Sequence, residues 1–277
     1  MGKPFQIRLI FFYCFLFAGL LFSTISCNSS NETLPNAPSS EGSSLAEDSL
    51  VYRIIIDDEI NPSVSRLVRR VIEEAQKREA DYLFIELETY GGLVVDADDI
   101  RTDILNCPIP VIIYIQNNAA SAGALISLAC DSIYMNPSAT IGAAAVVDQT
   151  GEVQAEKYQS YMRGKMRATA EANGRNPAIA EGMVDPSIVV PGISDSSKII
   201  TLTAQEAVSE DINFCEGIAP DADSALRLAG LGEYAVQNHI PTSTDNIIGF
   251  FVRPVVSSLL LGLIVIGIVL ELSLIHI

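Results

Sequence analysis

Apolar and polar positions alternate along the middle of this chain in two distinct rhythms. Tyr52–Ile56, Tyr82–Leu87 and Val111–Ile115 are short, nearly continuous apolar runs, the signature of buried strands. Between the first two, Val64, Leu67, Val68, Val71, Ile72 and Ala75 recur at helical spacing. Asn61-Pro62 precedes them as cap and first-turn proline. Glu73–Lys77 and Glu74–Arg78 are predicted as i,i+4 pairs on the wet side of that helix. Further helices are expected over Asp96–Leu105, Ser121–Ala129, Glu156–Ala172 and Ala178–Val184, with short strands at Ser132–Met135 and Thr140–Ala144. Thr203 reads as the cap of one more helix. Strand and helix alternate, which predicts a largely parallel sheet in an α/β domain over residues 51–236.

The ends have another pattern. Lys3 and Arg8 precede an uncharged apolar run of 14 residues, Leu9–Phe22, and STISC ends at Cys27. Residues 1–27 therefore read as a signal peptide. Cys27 as an acylated lipoprotein residue, an ordinary cleaved signal and an uncleaved anchor all stay open. Residues 28–50 are rich in Ser, Asn, Pro and Glu and read as a flexible tether. Gln237–Asn246 reads as a polar bridge to a transmembrane helix over 246–271, long enough for a hydrocarbon core of roughly 30 Å. The chain stops at ELSLIHI, and residues 272–277 read as a truncated or non-native tail.

Charge and cysteine content narrow the function. The formal net charge is −17, and no basic cluster exceeds Arg69-Arg70, which argues against a nucleic-acid partner. Cys107, Cys130 and Cys215 are widely spaced and read as buried free thiols rather than zinc ligands.

Ligands of open parallel sheets bind beyond the carboxyl ends of the strands. Two features fall there: Gly91-Gly92 after the second strand and Ser121, in AASAG, after the third. Adjacent glycines let backbone amides approach a ligand. A serine at a helix N-terminus has amides and a dipole that favour negative charge. Together these could form a nucleophile and an oxyanion hole. On spacing alone, a plain turn and a plain N-cap are the favoured reading of both, since Gly-Gly and Ala-Ser-Ala are common patterns.

The ordered set ELETYGGLVVDADDIRTDIL, VIIYIQNNAASAGALISLACDSIYMNPSATIGAA, ATAEANGRNPAIAEGMVD and ITLTAQEAV resembles the NfeD family of membrane-bound, Clp-class serine proteases, which includes the stomatin-partner proteases. The resemblance implies a Clp/crotonase-like superhelix of repeated strand-strand-helix units, and a homo-oligomer. It implies Ser121 as nucleophile and Gly91, Gly92 and Ala122 as oxyanion donors, with no cofactor and no metal. Tyr90 stands where the family's T-P-G-G has proline.

The base is the irregular member. Histidine occurs only at His239 and His276, neither well placed for a triad. The family uses a Ser-Lys dyad, and its lysine position, counted back from Gly174, holds Arg167. Arginine does not deprotonate and is a poor base. Lys165 is therefore the nominated base, with Lys157 next. Two functions follow. One is a membrane-anchored serine endopeptidase with its domain on the periplasmic side, cleaving apolar segments of membrane proteins such as stomatin-like partners. The other is a weakly active or inactive assembly partner of those proteins. Acyl-CoA chemistry on the related crotonase fold is disfavoured, because export separates the chain from that cofactor.

Overall fold

The computed structural model describes residues 49–240 except 149 and 195–196, together with 250–251 and 254–275. The signal peptide with Cys27, most of the tether, His276 and most of the bridge lie outside the described residues.

Strand β1 spans Ser49–Ile56, β2 Tyr82–Thr89, β3 Val111–Ala120, β4 Ser132–Met135, β5 Thr140–Gly142, β6 Thr201–Thr203, β7 Gly217–Ile218 and β8 Tyr234–Asn238. The order across the main path is β6-β5-β3-β2-β1-β8, with β4 pairing both β3 and β7. Every pair is parallel except β5–β6. The mixed α/β fold expected from the alternating pattern is present. Its helices are α1 Pro62–Lys77, α2 Val94–Leu105, α3 Ala122–Ala129, α4 Glu156–Ala172, α5 Pro177–Gly182, α6 Ala204–Ala207, α7 Ala222–Leu228 and α8 Pro254–Ile275.

Strand alternation sorts the core onto two faces. Tyr52, Ile54, Leu83, Ile85, Ile113 and Ile115 join the larger core, to which α1 to α4 contribute. Val51, Phe84, Ile112 and Tyr114 point the other way and pack with Ala225 and Leu226 of α7. Local signals act as the residue types dictate. Asn61 Oδ1 accepts from Ser63 and Val64 N–H at 2.9 and 3.2 Å, with Pro62 opening α1. Thr203 caps α6, and Glu206 closes a reciprocal capping box.

Three expectations change. Strand β3 runs on to Ala120 instead of ending at Ile115, because Ala119 pairs with Thr89 and residues 118–120 pair with β5. The expected Glu74–Arg78 pair gives way to longer-range contacts. Glu74 Oε2 accepts from Tyr52 Oη at 2.7 Å and lies 3.0 Å from His239 Nδ1, while Arg78 stacks over the Tyr52 ring. Gln237 and Asn238 belong to β8, paired with β1, rather than to a bridge.

Helix α8 has 22 residues. Its described side chains cover 256–272, and among the described residues no helix is long and apolar enough to cross a membrane. The span expected at 246–271 is not established by the fold.

Candidate functional site

Strands β2 and β3 end side by side, and their carboxyl ends carry the two predicted features. Gly91 and Gly92 have φ of +125° and +153°, values that favour glycine. The turn is fixed by Ile60 N–H donating to Gly91 O at 2.8 Å and Leu93 N–H donating to Ile60 O at 2.8 Å. A Cβ on Gly92 would stand 2.1 Å from Ile60 O, so any side chain there collides with backbone. A Cβ on Gly91 would lie 2.9 Å from Ser121 Cβ and 3.3 Å from Ser121 Oγ. The turn and the serine are therefore in direct contact.

Ser121 occupies the N-cap position of α3 without acting as a capping side chain. Its φ is +54° and ψ −113°, and its hydroxyl makes no cap bond. A non-glycine residue at positive φ is uncommon and strained. The simple cap reading is thus corrected: the chain accepts a costly backbone and leaves the hydroxyl uncommitted. Ser121 N–H donates to Gly142 O at 2.9 Å, which ties the serine to β5. Gly123 lets α3 seat on β2, since a Cβ there would be 2.7 Å from Thr89 Cγ2. Gly91 N–H donates to Thr89 Oγ1 at 3.2 Å. The bonds that fix the turn and the helix start do not use Gly92 N–H or Ala122 N–H.

Two surfaces flank this point. A groove of about 470 Å³ is lined by Val94, Val95, Val146, Lys157, Tyr158 and Tyr161. A second, of about 420 Å³, is lined by Asp57, Asp58, Glu59, Glu88 and the Thr89–Gly92 turn. Lys157 Nζ lies 4.7 Å from the Tyr158 ring centroid.

Lys165 and Arg167 of α4 are engaged elsewhere. Lys165 Nζ is 2.8 Å from Asp98 Oδ2 of α2. The Asp98 contact raises the Lys165 pKa above its ordinary value, against a smaller opposing effect of burial. Arg167 Nη1 pairs with Glu181 Oε1 at 2.5 Å. His239 is bound to Glu74, and Tyr52 Oη is 3.4 Å from its Nδ1, so it serves β1 and α1 rather than Ser121.

Sequence reasoning missed the role of Arg175 in GRNP. Its side chain is buried and spans Cys130 O at 3.1 Å, Phe214 O at 3.2 Å and Glu216 Oε1 at 3.0 Å. Asn173 Nδ2 adds bonds to Leu128 O at 2.7 Å and Cys130 O at 3.2 Å. This cluster locks the end of α4 to the end of α3. A polar triplet directly after a helix was the available signal.

Comparison with known proteins follows the same stretch. The family described as NfeD1b, N-terminal domain matches residues 50–239. The membrane protein NfeD1b of Bacillus subtilis is 30% identical over 228 residues, 82% of this chain and 52% of that protein. The membrane-bound protease PH1510 of Pyrococcus horikoshii is 29% identical over 238 residues, 77% of this chain and 51% of that protein. The chain thus spans about half the length of these relatives. Among solved structures, the 1510-N membrane-bound stomatin-specific protease, as a lysine-to-alanine mutant with a substrate peptide, is 25% identical. It covers 75% of this chain and 99% of that one, with a TM-score of 0.63.

Proposed function

This chain belongs to the NfeD1b N-terminal domain family, and from that membership we propose that it is a membrane-anchored serine endopeptidase with Ser121 as nucleophile. The observation that carries the reading is the contact between Gly91 and an uncapped, positive-φ Ser121. Strain of this kind, held in place by surrounding backbone, is characteristic of functional residues.

The chemistry would be acyl transfer. Ser121 Oγ attacks a peptide carbonyl carbon, and its proton passes to a neutral amine on α4. The resulting ammonium protonates the leaving amine as the C–N bond breaks, and water then releases the acyl group from Oγ. Lys165 is the first candidate for the α4 amine and Lys157 the second. Gly92 and Ala122 N–H stabilise the oxyanion, because their amides are the ones not used by the turn. Gly91 contributes mainly by leaving room for the serine. The groove of Val94, Val95, Val146, Tyr158 and Tyr161 suits an apolar segment of substrate.

The reading extends to the rest of the chain. The repeated strand-strand-helix superhelix, residues 1–27 as an export signal, acylation at Cys27 and α8 as a membrane anchor all belong to it. So do an exported, periplasmic domain, self-association and a stomatin-like membrane protein as substrate or partner. One relative is named a membrane-bound protease, and one solved neighbour a stomatin-specific protease.

A second reading, an assembly partner with weak or no hydrolysis, is favoured by two observations. Lys165 is held as an ammonium by Asp98, and Arg167 fills the family's lysine position. Cleavage separates the two. The detergent-solubilised chain is incubated with peptides covering the apolar segments of a stomatin-like protein, beside Ser121→Ala. Fragments that vanish in Ser121→Ala support the endopeptidase. Binding without fragments supports the assembly partner.

A further inference from the structure

Lys165, the first candidate base, is paired with an acid of α2. Asn173 fixes the C-terminal end of α4 to the carbonyls of Leu128 and Cys130, at the end of α3. Gln159 fixes the other end by two bonds to Val146, at 3.0 and 2.6 Å. The helices therefore run in the same direction. The eight residues of α3 rise about 12 Å. The same rise back along α4 from Asn173 reaches the turn that carries Lys165.

What turns Lys165 aside is a compact polar cluster on α2. Asp98 Oδ2 takes Lys165 Nζ at 2.8 Å and accepts from Tyr161 Oη at 2.9 Å. Arg101 Nη1 stands 3.8 Å from Asp98 Oδ1 and is itself anchored through Nε to Thr169 Oγ1 at 2.6 Å. Lys165 Nζ also lies 5.3 Å from the Tyr161 ring centroid. The other acids on this side are taken: Glu181 pairs with Arg167, and Asp185 and Glu156 with Arg163. Asp98 is thus the one carboxylate on Lys165 among the described residues.

We propose that Asp98 is a positioning residue that holds the site in a resting state by keeping Lys165 paired and away from Ser121. Once that pair is broken, the Lys165 ammonium gives one proton to water, and the neutral amine can then take the Ser121 proton. In the covered step, Oγ bonds to the acyl carbon while its proton goes to Nζ, leaving Lys165 as an ammonium and an oxyanion at the carbonyl. An ammonium clamped to a carboxylate cannot accept that proton. This inference rests on the Ser121–Lys165 reading above.

The test is the rate of fluorophosphonate labelling across pH for wild type, Asp98→Asn, Asp98→Glu, Asp98→Asn/Lys165→Ala and Ser121→Ala. Asn keeps the size of Asp and removes its charge. The expected result is faster labelling of Asp98→Asn at neutral pH, by about tenfold for each unit by which the alkaline midpoint of its pH profile falls. Asp98→Glu should return the midpoint toward wild type, and the double variant should lose the gain. A merely structural role would leave the midpoint in place. Wild-type rate and midpoint in Asp98→Asn overturn the proposal while Ser121 stays the nucleophile. Equal labelling of Asp98→Asn and the double variant also overturns it, by removing Lys165 as base. Labelling of no variant, or undiminished labelling of Ser121→Ala, overturns both this proposal and the serine reading.

Discussion

Gly91 packs so closely on Ser121 that one added methyl would stand 2.9 Å from the serine Cβ. That contact turns two separate sequence motifs into one site. It also separates two kinds of glycine. Gly91 borders the reactive hydroxyl, whereas Gly92 borders the Ile60 backbone. Gly91→Ala should therefore fold with a loss of about 1–2 kcal/mol from its positive φ, and lose labelling at Ser121. Gly92→Ala faces a 2.1 Å collision with a carbonyl. It should lose more stability than Gly91→Ala in urea unfolding. Equal unfolding midpoints would contradict this assignment.

Arg175 bridges Cys130, Phe214 and Glu216 from a buried position. Removing it takes one donor each from Cys130 O, Phe214 O and the Glu216 carboxylate, although Asn173 Nδ2 still serves Cys130 O and Glu216 is partly exposed. Arg175→Ala should cost about 1–3 kcal/mol, the range for losing charged hydrogen bonds to buried acceptors. Arg175→Lys should recover only part, since one ammonium cannot reproduce the fork. Denaturant midpoints of the three proteins check the order.

Asp96 opens α2 from a buried position, and burial, with Asp99 nearby, raises its carboxyl pKa above the ordinary range despite Arg66. A raised acid contributes stability below its unfolded pKa and loses it as pH rises through the folded one. Asp96→Asn should therefore gain stability relative to wild type as pH rises from the unfolded carboxylate range through the raised folded pKa. Beyond the raised pKa the difference should be flat. Thermal unfolding across that window reads it, and a difference independent of pH would count against the account.

The three described cysteines are free. Burial pushes the Cys215 thiol up to about 11 and raises Cys130 and Cys107 as well. The thiolate is the reactive form. Cys130 and Cys215 should resist a thiol reagent in the folded protein and react on unfolding, with Cys107, which is only partly buried, reacting first. Peptide mapping after timed labelling distinguishes them.

Much of this architecture is legible in the sequence because single residues dictate it. Asn61-Pro62 starts α1, Thr203 starts α6, and the apolar periods of β2 and α1 name their buried faces. Other features depend on partners distant in sequence. Residues Gln116–Ala120 look like a polar loop, yet β5 completes their strand from about 20 residues away. Glu74 has Arg78 one turn on, but Tyr52 and His239 claim it. At the site, Ser121 and the glycines were visible as motifs. The φ of Ser121 was not, because β5 and the Gly91 turn impose it. Nor was the Lys165–Asp98 pair, which joins residues 67 positions apart on two helices.

The central claim is that Ser121 is a nucleophile. The most direct measurement is covalent labelling of the full, detergent-solubilised chain by a fluorophosphonate, with the modified residue located by mass spectrometry. The account predicts one adduct, on Ser121, absent from Ser121→Ala. An unlabelled wild type, even with a stomatin-like partner present, or an adduct on another serine, would contradict it.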